Sequence, residues 1–99
     1  FDLTGSCNYA FNLVLREPDT ALRDRVEAAL RAAGVEFRRG SSGGGNQLRQ
    51  PYLRNLIPER YWERFPHIEH VHFFGYYIGN YPDLPAEKIE RLCRLLNDL

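Results

Sequence analysis

The sequence predicts a small α+β domain, a sheet of about three strands with helices packed on one face, and three observations carry that expectation. Short β-rich runs alternate with two helical patterns of 3.6-residue period; turn residues punctuate them; and 99 residues leave room for one core only. Residues 1–99 therefore read as a single domain.

Residues 9–16 (YAFNLVLR) are rich in β-formers, alternate imperfectly and stop at Glu17-Pro18, which predicts a strand. Asp19 or Thr20 is placed to cap a helix whose Leu22, Val26, Ala29, Leu30 and Ala33 fall on one face, with Gly34 as its stop. Val35–Arg38 follows directly as a second strand. Residues 40–46 (GSSGGGN) hold four of the eight glycines and predict a flexible loop, since glycine loses the most backbone entropy on ordering. Pro58 opens a helical stretch, ERYWERF, that Pro66 is expected to end, and a short helical turn follows through 67–73.

Gly75–Gly79 (GYYIG) reads as a third strand, closed by Asn80-Tyr81-Pro82. A last helix starts near Pro85, with Ile89, Leu92, Leu96 and Leu99 on its core stripe. Three strands alone are marginal, so Leu22, Val26, Leu30, Ile89, Leu92 and Leu96 are expected to supply much of the core.

Thirteen basic and thirteen acidic residues cancel, which argues against duplex DNA or an anionic membrane as a whole-domain partner. No apolar run approaches the ~20 residues that span a bilayer. The cancellation conceals a pattern: residues 37–57 carry four arginines and no acid, a local +4, between flanks of −2 each. Twelve of the bases are Arg; Lys88 is the single lysine, and its place in an amphipathic first turn with polar neighbours makes it a poor candidate for a Schiff base. Cys7 and Cys93 lack C-x-x-C spacing and read as buried thiols in a reducing cytoplasm. With Phe at position 1 and no Met at all, the chain reads as a fragment or processed product.

In the basic segment, Asn46, Gln47, Arg49 and Gln50 beside flexible glycines could offer N–H groups and guanidinium forks to phosphate or carboxylate oxygens. A Walker-type loop needs G-K-[ST], and none is present. The bland alternative is a plain connector with solvated arginines. A stand-alone anion- or RNA-binding module would use the same arginines with Tyr52, Tyr76, Tyr77 and Tyr81 as stacking platforms, although no RNA-recognition or KH signature occurs. His67, His70 and His72 cluster around Glu69 without zinc spacing, so a metal site is not expected; on a helix, 67 and 70 share a face and 72 does not. Asp83, Glu87 and Glu90 lie where acids complement a helix dipole rather than perform acid–base work.

The segments FNLVL, AAGVEFR, GGGNQLRQPYLR and HFFGYYIGNYPDLPAEKIERLCRLLN together resemble the C-terminal domain of the DegT/StrS-type sugar aminotransferases, over essentially the whole chain. GYYIGNYP followed by leucine and a helix carries most of that resemblance, and GNQLRQP is similar to the branch holding nucleotide-sugar aminotransferases and 3-dehydrases. The resemblance implies the small domain of a fold-type-I enzyme that uses pyridoxal phosphate (PLP) on a nucleotide-linked 4-keto-6-deoxy sugar, for surface polysaccharides or antibiotic sugars.

It also implies a division of labour. A large domain of the same chain, absent from these 99 residues, would hold PLP, and a homodimer is expected. The small domain would wall the substrate cleft and hold no cofactor, catalytic or metal-binding residue; on its own it would be inactive. Asn46, Gln47 and Arg49 become the substrate-binding candidates, with Asn80 as a further one because it ends a strand expected near the same edge. Without its large domain the fragment is expected to self-associate through Trp62, Phe65, Phe73 and Phe74. Many aminotransferases of the family carry His-Tyr-Pro where this chain has Arg49-Gln50-Pro51, which leaves transamination and dehydration both open. In the dehydrase branch a histidine replaces the PLP lysine.

Overall fold

The computed structural model describes residues 4–5, 9–42 and 45–99. Strand β1 (Ala10–Val14), helix α1 (Thr20–Ala32), strand β2 (Phe37–Arg39), helix α2 (Pro66–Phe74), strand β3 (Gly75–Gly79) and helix α3 (Ala86–Asn97) follow in that order. Short 3-10 turns at Gln47–Arg49, Pro51–Leu53 and Tyr61–Arg64 fill the long connection between β2 and α2. The result is the expected small α+β fold. Among the described residues no helix is long and apolar enough to cross a membrane.

Helix α1 follows from its ends as much as from its stripe. The Asp19 carboxylate accepts the Leu22 N–H at 2.9 Å, satisfying one of the amides that a helix start leaves over. At the other end Gly34 takes φ +70°, so that its N–H reaches Arg31 O and the Val35 N–H reaches Leu30 O. This paired closure needs a left-handed residue, and glycine enters that region without a Cβ penalty. The same turn brings Val35 over Leu30 and feeds β2.

The sheet is antiparallel in the order β1-β3-β2, with Leu13 and Arg39 flanking Tyr76, and Phe11 and Phe37 flanking Ile78. Side chains alternate across a strand, so these six share one face, while Asn12, Arg38 and Tyr77 share the other. Leu15, Val26, Leu30, Tyr76 and Ile78 form the buried core on the first face, and Leu22, Leu92, Leu95 and Leu96 pack against it from α1 and α3. On the second face Asn12 and Arg38 are exposed and Tyr77 is half-buried.

Two boundaries differ from expectation. Pro66 begins a nine-residue helix rather than ending one, and the stretch before it folds only as a 3-10 turn entered by Arg60 in the left-handed region (φ 56°). Proline's fixed φ suits the first helical position, and its ring pushes the preceding Phe65 out of helical geometry. Helix α3 forms as expected, but Ile89 stands 45% exposed and Leu99 is exposed too, while Leu95 takes a packing position. The first turns of α3 stand off the sheet across a groove. Cys93, expected to be buried, is exposed on the same helix, and Cys7 lies outside the described residues.

Candidate functional site

The basic loop is anchored by close backbone contact before any side chain acts. Gly40 donates its N–H to Gly75 O at 2.6 Å, and a Cβ at position 40 would fall 2.0 Å from Val71 O. Gly45, at φ +52°, would place a Cβ 2.4 Å from His72 Nδ1. The glycines were expected to make this loop flexible; at positions 40 and 45 they instead let it lie against α2 and the start of β3, where any side chain would collide.

From Gly45 the chain turns into Asn46, which is 2% exposed and fully engaged. Its N–H donates to His72 Nδ1 at 2.9 Å, its side-chain amide donates to Glu69 Oε1 at 2.7 Å, and its Oδ1 accepts the Leu48 N–H at 3.2 Å. The last of these caps the 3-10 turn Gln47–Arg49. That turn swings Arg49 back over the same helix, where Nε meets Glu69 Oε1 and Nη2 meets Glu69 Oε2, both at 2.7 Å. The guanidinium also lies 5.1 Å from the Trp62 ring centre and 4.9 Å from that of Phe73. Such a two-pronged arginine beside two aromatic rings is held far more firmly than a solvated one.

Glu69 and His72 can cooperate because they are three residues apart on α2, hence on one face. The Arg49 fork holds the Glu69 carboxyl below its ordinary range; burial works against this and the Asn46 amide adds to it. Burial pushes the His72 imidazole down, and the Arg49 charge pushes the same way, with Glu69 in partial opposition. Since Nδ1 accepts from Asn46, the neutral ring carries its proton on Nε2.

A second acid reaches the basic segment from α1. Glu27, buried beneath the sheet, accepts the Tyr76 hydroxyl at 3.1 Å and Arg31 Nη2 at 3.0 Å, with Arg39 Nε 3.4 Å away. Burial and the Glu27 contact raise the Tyr76 phenol to about 12. Arg39 further donates to Phe73 O at 3.4 Å. Two of the four arginines in the +4 segment are thus matched by acids outside it.

The four candidate residues separate. Asn46, Gln47 and Arg49 come together on α2, with Gln47 exposed and its Oε1 accepting the Tyr52 hydroxyl. Asn80, expected near the same edge, lies at the opposite end of β3, its N–H donating to Tyr9 O at 3.3 Å. There it borders a groove of about 750 Å³ between the sheet end and α3, floored by Phe11, Phe37, Ile78 and Leu92. The aromatic patch also divides: Phe74 packs on the core, Trp62 and Phe73 sit under Arg49, and Phe65 stays exposed.

Sequence reasoning missed Glu69 and His72 as anchors and Glu27 as a partner of the basic segment. The available signal was an acid and a histidine three apart just before β3, obscured by grouping the histidines among themselves. Among the described residues no three His, Cys, Asp or Glu side chains converge as a metal would require. What the cluster can do is positional: it fixes a loop and presents Gln47 and Tyr52 at its surface. No family model, curated protein or solved structure matches this chain.

Proposed function

We propose that this chain is the small C-terminal domain of a PLP-dependent aminotransferase or 3-dehydrase of the DegT/StrS type, acting on a nucleotide-linked 4-keto-6-deoxy sugar in the cytoplasm. The observation that carries the reading is the state of residues 45–52 (GNQLRQPY). It is fixed to α2 through Asn46 and Arg49 while Gln47 and Tyr52 remain outward. A cleft wall needs polar groups held still against a rigid element, because correct placement of the substrate lowers the barrier without chemistry from the wall itself. Gln47 is then the substrate contact on this loop, Asn46 and Arg49 are positioning residues, and Asn80 serves a separate part of the surface.

The described residues do not fit a PLP site. Lys88 is exposed on the first turn of α3 at the rim of the groove, whereas a Schiff-base lysine is set in an apolar pocket or beside a second cation. The cofactor belongs, in this reading, to a large domain of the same polypeptide, which also supplies the homodimer contacts.

The test is an assay of the polypeptide that carries this domain, with PLP and a nucleotide-linked 4-keto-6-deoxy sugar, with and without glutamate as amino donor. An amino sugar or a 3-deoxy sugar is the expected product; neither appearing would overturn the reading. A borohydride-reducible PLP adduct at Lys88 would overturn the division of labour.

A further inference from the structure

We propose that His72 is a proton-operated latch: its neutral imidazole holds segment 45–49 on α2, and protonation of the ring releases that segment. This goes beyond the proposed function and stands whether or not the domain serves a sugar enzyme.

The bond in question is the Asn46 N–H to His72 Nδ1 at 2.9 Å, and it exists only while Nδ1 keeps its lone pair. A protonated ring has a donor on each nitrogen, so Nδ1–H would face N–H. Neither partner can easily turn aside. Gly45 lies so close to Nδ1 that even a Cβ there would sit 2.4 Å away, and Asn46 is 2% exposed, so its amide has no ready exchange of the ring for water. An unpaired buried amide is costly, and release of the turn lets water take the place of the ring.

The charges around the ring point the same way. Arg49 faces it from the 3-10 turn and Arg39 from β2, and both disfavour an imidazolium. Glu69, one turn earlier on α2, is the counter-charge, but its two oxygens already accept Arg49 Nε, Arg49 Nη2 and the Asn46 amide. Using Glu69 to neutralise His72 would draw it away from the residues that hold the loop. Burial adds to the preference for the neutral ring.

The sign follows from linkage. A histidine whose folded value is depressed contributes stability that is present above its ordinary value and lost as pH falls through the depressed one. Between the two values, opening of segment 45–49 rises about tenfold per pH unit. The other two histidines of α2 have different surroundings: His67 is exposed, and His70 bonds Leu15 O through Nε2 at 2.5 Å.

The experiment is NMR of the isotope-labelled 99-residue chain from pH 8 to pH 5. It follows each imidazole and the hydrogen exchange of the Asn46 and Leu48 amides, corrected for intrinsic rates. Asn46 protection is expected to fall in step with His72 ionisation. His72→Asn, which keeps an acceptor near the Nδ1 position and cannot gain a charge, is expected to hold Asn46 protection level across the range. Protection that stays level in the wild-type chain while His72 ionises would overturn the proposal, as would an unchanged pH dependence in the variant. The wild-type titration alone decides the matter if the variant does not fold.

Discussion

The two ends of strand β3 are built on opposite principles. At the Gly75 end, glycines press the loop onto α2, and Asn46, Arg49, Glu69 and His72 satisfy one another through short polar contacts. At the Gly79 end, α3 stands off the sheet, leaving an apolar groove of about 750 Å³ with Ile89 and Cys93 exposed beside it. The contrast teaches that the basic segment is the tied part of this molecule and the quiet-looking final helix is the loose part. Charge density alone suggested the reverse, because arginine in a glycine-rich stretch looks solvated until its partners are known.

Alanine in place of one glycine near each end of β3, Gly40 in the loop and Gly79 in the strand, gives the sharpest contrast. Gly40→Ala drives a methyl into Val71 O, a backbone atom that cannot step aside, and is expected to cost about 3 kcal/mol in urea unfolding. Gly79→Ala meets nothing within 4 Å and is expected to change stability by less than about 0.5 kcal/mol. Equal effects at the two positions would erase the distinction between the ends.

Glu69→Gln comes next. It keeps the shape but removes the carboxylate that Arg49 and Asn46 share, and about 1–2 kcal/mol is expected to be lost, since the pair is partly solvated. The variant also tests the sign of the pH dependence. A carboxyl depressed by its partners stabilises the fold above its ordinary value and loses that contribution as pH falls through the depressed one, so the variant should flatten the acid limb of a stability profile.

A smaller loss is expected for Gly34→Ala on the groove side. No atom lies within 4 Å of the new methyl, so the cost is the left-handed backbone alone, about 1 kcal/mol by thermal unfolding. A loss as large as that of Gly40→Ala would mean that the groove side is packed as tightly as the loop side.

The fold was legible because its signals are local. Asp19 before a 3.6-residue stripe and Gly34 after it specify α1 at both ends, and GYYIG specifies β3 by composition. Pro66 was misread because proline both ends and begins helices, and only the preceding residue's geometry decides which. The site was legible in part: Asn46, Gln47 and Arg49 stand out as a group, but the glutamate and histidine that Asn46 and Arg49 bind lie twenty or more residues away in sequence. Glu69 and Glu27 carry no local mark that distinguishes them from solvated acids on a helix. Their role comes from the turn that brings the loop across α2 and from the strand pairing that sets Arg39 beside Tyr76. Asn80 was misplaced for a related reason, since a strand's two ends look alike in sequence while lying on the order of 15 Å apart in space.

The most direct test of the claim that arginines of the basic segment are matched by acids elsewhere in the chain is a titration of the 99-residue chain with single-stranded RNA at low and rising salt. If Arg39 and Arg49 are occupied by Glu27 and Glu69, binding at low salt is weak and its salt dependence shallow. Tight binding at low salt that falls steeply as salt rises would show those arginines released to phosphates, and would contradict the account in favour of an anion-binding module.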